Sequence, residues 1–154
     1  EDLGFLPDQV RGLLKASGYP GMKVLQFAFD SREPGDYSPY SYDANNVVYP
    51  GTHDNDTVKG WANTAPADGV AHAMDYMGLA DKAGLPLGMI RLALQSRANL
   101  AVIAMQDWLG LDGGARMNVP STIGGKDWRW RMGAEVMSEA LCGEMLHLAR
   151  LYGR

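Results

Sequence analysis

The alternation of apolar runs with polar breaks divides the chain into helical and extended segments. Val10, Leu13 and Leu14, with Leu6 just before them, recur at helical spacing over residues 7–17. Pro7 suits the first turn of that helix and Gly18 its stop. Residues 22–29 are apolar at both parities except for Lys23 and Gln26, which predicts a strand covered on both faces in a parallel sheet and ending on Asp30. Residues 31–46 show no periodicity, and a loop of that length is usually functional. Within it, Tyr37, Tyr40 and Tyr42 either pack the loop onto the body or lay aromatic faces against a flat ligand. A second short strand, 47–49, runs into Pro50-Gly51.

Two helices are predicted next, over 57–63 and 67–77, the second closed by Gly78 and burying Val70, Ala71, Met74 and Met77. A further helix over 86–96 presents Met89, Leu92, Ala93 and Ser96 on one face and feeds a third apolar strand, 100–105, followed by Gln106-Asp107-Trp108. Residues 112–127 form a glycine-rich loop, 128–131 an alternating extended segment, and Ser138 caps a closing helix with Leu141, Met145, Leu148, Ala149 and Tyr152 inward. Strands that alternate with helices imply an α/β fold with a parallel sheet. A closed (β/α)8 TIM barrel takes eight strands and roughly 250 residues, so this chain would supply only part of one. No repeat, low-complexity segment or linker divides it, and residues 1–154 read as one portion of one domain.

Composition narrows the function classes. Of 154 residues, 46% are hydrophobic and 21% charged, the balance of a globular chain with one core. The net charge of −4, with no Lys/Arg run, excludes the electrostatic footprint of a nucleic-acid binder. Cys142 is the single cysteine, so no disulfide framework forms within the chain, and its helical setting predicts a packed small hydrophobe. No apolar run is long enough to span a bilayer and no signal-peptide pattern is present, which sets a cytoplasmic location as the expectation. The first residue is Glu1 rather than Met, which suggests that the sequence begins inside a longer chain.

The candidate chemistry sits where the second strand stops. Pro50-Gly51-Thr52 releases His53 and Asp54 side by side, with Asp56 and Thr57 following. Strand carboxyl ends are where parallel α/β folds present reactive side chains. One of Asp56 or Thr57 can be explained as the cap of the next helix. Capping does not explain the His-Asp pair before it.

Four stretches in order carry a family resemblance: Glu1-Asp2-Leu3-Gly4; Pro20 through Phe29; Tyr49-Pro50-Gly51-Thr52-His53-Asp54-Asn55-Asp56-Thr57; and Ala115-Arg116-Met117-Asn118. Together they closely resemble the 4-α-glucanotransferases called amylomaltases or disproportionating enzymes, from Glu1 to about Trp130. The helix from Ser138 onward is not matched. The resemblance implies the carboxyl-terminal part of a catalytic TIM barrel: its last strands and helices only. It implies transfer of an α-1,4-glucan segment from a maltodextrin donor to the 4-hydroxyl of a glucose or glucan acceptor, by a retaining double displacement and without cofactor or metal.

The family uses an Asp nucleophile, a Glu acid/base and a second Asp that stabilises the transition state. By resemblance Glu1 matches the acid/base, Asp54 the stabiliser, His53 a contact to sugar hydroxyls, and Asn118 a loop lining the substrate groove. The nucleophile would belong to a strand before Glu1. Retaining transfer sets its two working carboxyls about 5 to 5.5 Å apart, and from the residues alone Glu1 and Asp54 would pair, with Asp54 as nucleophile; the resemblance reassigns Asp54. As an amino terminus, Glu1 would carry an ammonium that lowers its carboxyl pKa, the wrong direction for a general acid. The chain alone is therefore expected to be inactive. The loops 31–46 and 112–127 are candidates for covering the groove, so that an acceptor sugar outcompetes water.

Two other readings compete. His53 and Asp54 with Asp56 nearby also suit a metal-dependent phosphohydrolase, although that class needs more ligands than His72 and His147, both on helices, can supply. A non-catalytic glucan-binding fragment is the other.

Overall fold

The computed structural model describes residues 2–3, 7–32 and 37–154. Its centre is a three-stranded parallel sheet in the order β1 (Gly21–Val24), β2 (Asn46–Tyr49), β3 (Leu100–Ala101). Met22 lies beside Val47, and Val48 beside Ala101. Around it run α1 (Asp8–Ser17), α2 (Leu25–Ala28), α3 (Val58–Thr64), α4 (Ala67–Met77), α5 (Leu85–Gln95), α6 (Met105–Trp108) and α7 (Glu139–Leu151). The parallel α/β reading of the sequence holds.

Parity decides which residues meet the helices. Lys23, Val48 and Ala101 share one face of the sheet. Val48 is fully buried there against a core that includes Leu25, Phe29, Tyr42, Val58, Trp61, Leu85, Met89 and Leu92. Lys23 reaches its ammonium over the rings of Tyr37 and Tyr42 on the same side. Met22, Val24, Val47, Tyr49, Leu100 and Val102 share the opposite parity; Val24 is fully buried, Met22, Val47 and Tyr49 are half-buried, and Leu100 and Val102 are exposed. The first face is packed by helices, whereas the second is closed at Val24 and open toward Leu100 and Val102 among the described residues; the apolar runs predict cover on both.

The strands are shorter than the runs that predict them. After Val24 the chain turns helical at Leu25–Ala28, so Asp30 lies beyond a helical turn, not at a strand end, and pairs with Arg32 at 2.5 Å, which holds its carboxyl below the usual carboxylate range. The third strand stops at Ala101, and Met105 opens α6. Residues 128–131 are no strand either: they leave a turn in which Trp128 has φ 59°.

The helix boundaries follow their caps. Gly18 and Gly78 close α1 and α4 in the left-handed region, as predicted. Thr57 accepts from the Gly60 amide and Ser138 from that of Leu141. Burial departs from the predicted stripes in three places. Val10 and Leu13 of α1 are exposed; in α4 Val70, Met74 and Met77 pack against the core as predicted, joined by the buried Gly69 and Ala73, while Ala71 is exposed; and α5 is buried nearly all round. Cys142 is exposed on α7, correcting the expectation that it packs inside. Of the loop tyrosines, Tyr42 and Tyr37 are buried packing residues joined by a bond from the Tyr42 hydroxyl to the Tyr37 carbonyl, and Tyr40 is exposed. No helix among the described residues is long and apolar enough to cross a membrane.

Candidate active site

Beyond Tyr49 the chain makes a tight turn that fixes the direction of His53 and Asp54. The Asn55 side-chain oxygen accepts from both the amide and the hydroxyl of Thr52, and the Asn55 amide returns to the Thr52 carbonyl. The turn is tied down on its far side: Gln26, buried at the start of α2, donates from Nε2 to the Asp56 carbonyl at 2.8 Å. A side chain at Gly51 would stand 2.6 Å from that same Nε2, so the close approach needs glycine.

The Arg-Met-Asn stretch docks along this turn. Asn118 donates its amide to the His53 carbonyl (3.1 Å) and its Nδ2 to Asp54 Oδ1 (2.6 Å). Arg116 clamps the two segments, donating from Nη2 to the Asp54 carbonyl (2.5 Å) and from Nε to the Asn118 carbonyl (2.7 Å). His53 Nε2 lies 3.5 Å from Asp54 Oδ1, and both side chains remain open to solvent. The structure therefore brings together His53, Asp54 and Asn118, residues 53 and 118 being 65 positions apart. Glu1, the remaining predicted site residue, lies outside the described residues.

His53, Asp54 and Arg116 border a cavity of about 410 Å³ at the carboxyl end of the sheet, on the face that carries Met22 and Tyr49. Met22, Tyr49 and Val102 form its apolar floor, and His53, Asp54, Asp56, Gln106, Asp107 and Arg116 its polar wall. The volume is that of a small-molecule site, and an apolar floor with a few fixed polar groups is the usual composition. Asp107 is only 3% exposed and accepts from the Val58 amide at the start of α3 (2.8 Å). Burial pushes its carboxyl up to about 6, the Val58 hydrogen bond opposes the rise, and the charge of Asp56 adds to it.

Thr57 turns out to be the helix cap, while Asp56 bonds the Thr57 amide and packs its carboxylate against Gly60 and Gly113. Among the described residues no three His, Cys, Asp or Glu side chains cluster as a metal site would require. His72 is exposed against the edges of Phe29 and Tyr76, and His147 is exposed on α7. The sequence reading gave Arg116 no role, although it stands in the motif that singled out Asn118. A half-buried guanidinium fork spanning two carbonyls is visible only once the two segments are adjacent.

The sequence profile of a family described as 4-alpha-glucanotransferase matches residues 1–136. A 4-alpha-glucanotransferase of Clostridium butyricum is 41% identical over the whole of this chain and 32% of its own length. A chloroplastic/amyloplastic 4-alpha-glucanotransferase of Oryza sativa subsp. japonica is 42% identical over 99% of this chain and 26% of its own. Among solved structures, the amylomaltase of Streptococcus agalactiae in complex with acarbose superposes with a TM-score of 0.92 at 30% identity, over all of this chain and 31% of that one. The chain spans about a third or less of the length of these relatives.

Proposed function

Since the chain belongs to the 4-alpha-glucanotransferase family, we propose that it forms the part of a glucanotransferase active site that holds a sugar ring at the carboxyl end of a parallel sheet. The reaction is transfer of an α-1,4-glucan segment from a maltodextrin donor to the 4-hydroxyl of a glucose or glucan acceptor, a cytoplasmic reaction that uses no cofactor. The observation that carries the reading is the Asp54 carboxylate: Asn118 fixes its Oδ1 beside His53, at the mouth of a cavity with an apolar floor.

The chemistry follows from that placement. When the glycosidic bond breaks, its electrons leave with the departing oxygen, which takes a proton from an acid, and positive charge builds on the sugar ring. A nucleophilic carboxylate outside these 154 residues takes up the ring as a covalent glycosyl intermediate. The acceptor hydroxyl then displaces it, returning a proton to the acid/base group, a role that falls to Glu1. Asp54 offsets the charge on the ring through the oxygen that Asn118 leaves for the ligand, and His53 holds a neighbouring sugar hydroxyl. Such a group acts without reorganising because its position is already set, and Arg116 sets it here from the backbone side. A sheet packed by helices on one face, with an apolar face open toward Leu100 and Val102, supports a partial (β/α)8 barrel, whose interior those residues would line. We assign the chain to the carboxyl-terminal portion of that barrel.

The test uses the polypeptide of the complete reading frame, incubated with maltotriose. The expected products are glucose and longer glucans. Asp54→Asn should lower kcat/KM by roughly 10²–10³-fold, and Asn118→Ala by less, since it removes only the group that fixes Asp54. Release of sugar without longer glucans, or an Asp54→Asn variant as active as its parent, would defeat the proposal.

A further inference from the structure

Trp128 stands out in the described residues as a large aromatic ring that the chain holds in a strained conformation and leaves 60% exposed. Its φ of 59° is one that bulky residues rarely adopt. The strain is held in place by its own amide, which donates to the Met117 carbonyl at 2.6 Å. Asp127 closes the preceding loop, accepting from the Val119 amide (3.2 Å) and the Thr122 hydroxyl (2.8 Å). The loop thus folds back on the Arg-Met-Asn stretch and delivers the indole beside the His53 ring, with centroids 5.1 Å apart and planes 43° apart. Backbone strain that the surroundings over-determine clusters at binding sites.

We propose that Trp128 is an aromatic platform for a second glucosyl ring, next to the ring held at Asp54. The inference rests on the glucan reading above and extends it by one subsite. The indole supplies broad apolar area on a side chain with only two rotatable bonds, so little freedom is lost on binding. The C–H face of a pyranose is apolar while its rim carries hydroxyls. Stacking on Trp128 would cover that face, with His53 available at the rim toward Asp54. Because His53 touches both Asp54 and Trp128, the two rings would be consecutive units of one α-1,4 chain. Trp128 is a binding residue in this scheme and takes no part in bond making.

The experiment compares the parent polypeptide of the complete reading frame with Trp128→Phe, Trp128→Leu and Trp128→Ala. Maltoheptaose is the probe in calorimetry, and maltotriose disproportionation gives kcat and KM. The leucine variant keeps apolar bulk in the loop without a flat face, so it tests the platform even if the alanine variant misfolds. Leucine and alanine should raise Kd and KM about tenfold with kcat within twofold, and phenylalanine should restore most of the loss. Unchanged Kd and KM in the leucine variant, or a fall in kcat alone, which would mean that Trp128 only positions His53, overturns the proposal while leaving the glucan reading intact. A parent polypeptide that neither binds maltoheptaose nor lengthens maltotriose overturns both.

Discussion

Asp107 is the residue at which the fold works against a charge. It is buried at the start of α6, where desolvation raises its carboxyl to about 6 despite the hydrogen bond from Val58. Between the ordinary value near 3.8 and about 6, the folded state binds more protons at this site than the unfolded state, so stability falls as pH rises through that window and levels off above it. The contribution is on the order of 3 kcal/mol. Melting temperatures measured from pH 4 to 7 should show the parent losing stability relative to Asp107→Asn as pH rises; a gap between the two that stays constant would contradict the assignment. That an acid follows the third strand is legible in the sequence, but its burial is not, because burial depends on α3 and α6 meeting. His53 and Asp54 are legible as neighbours at a strand end. Family resemblance puts Asn118 on a loop lining the groove, but its bonds to His53 and Asp54 are not legible, since no local pattern links positions so far apart. Trp128 read as part of an alternating segment, for positive φ at a non-glycine leaves no mark in composition.

Within the elements, strand length is what apolar runs leave open. An apolar run does not say whether it stays extended, and residues 22–29 and 100–105 each contain a short strand followed, at once or within a few residues, by a helical turn. What shortens the first is packing: Leu25 enters the helix-side core, and Gln26 must turn toward Asp56 to hold the active-site loop. The predicted stripe of α4 holds at Val70, Met74 and Met77, which pack against the core, and fails only at Ala71. The buried line also takes in Gly69 and Ala73, because the helix lies so close to the end of α2 that only a hydrogen fits at Gly69, against the Phe29 carbonyl oxygen. Replacing an interior helical glycine with alanine ordinarily gains about 1 kcal/mol of helix propensity. At Gly69 the added methyl meets backbone, which cannot swing aside, and overpacking of this kind costs about 1–3 kcal/mol. Gly69→Ala should therefore lower the urea midpoint, whereas Gly12→Ala in α1, whose added methyl would meet nothing within 4 Å, should leave it unchanged or raise it. Equal effects at the two sites would remove the packing account of α4.

The architecture of the whole molecule poses a question of edges. The sheet has β2 at its centre, paired on both sides, while β1 and β3 each have one strand neighbour among the described residues. One outward group of β1 is answered locally, the Met22 amide donating to Asp2 Oδ1 at 2.6 Å. Open parallel edges with an apolar, partly uncovered face are a liability unless further strands pair with them. The parallel order was legible because strands alternate with helices. How many strands complete the sheet was not, since that is fixed by pairing rather than by any segment's own pattern. If the barrel proposal is right, β1 and β3 are interior strands in the complete polypeptide, with both of their hydrogen-bonding sides occupied. Backbone amides then open only with the sheet as a unit. Hydrogen–deuterium exchange on the polypeptide of the complete reading frame should accordingly give Gly21–Val24 and Leu100–Ala101 the same protection as Asn46–Tyr49. Fast exchange in β1 or β3 beside a protected β2 would mark a true sheet edge. In that case the cavity at Asp54 would open onto solvent instead of a barrel mouth, and the exclusion of water that favours transfer over hydrolysis would have to come from the loops alone.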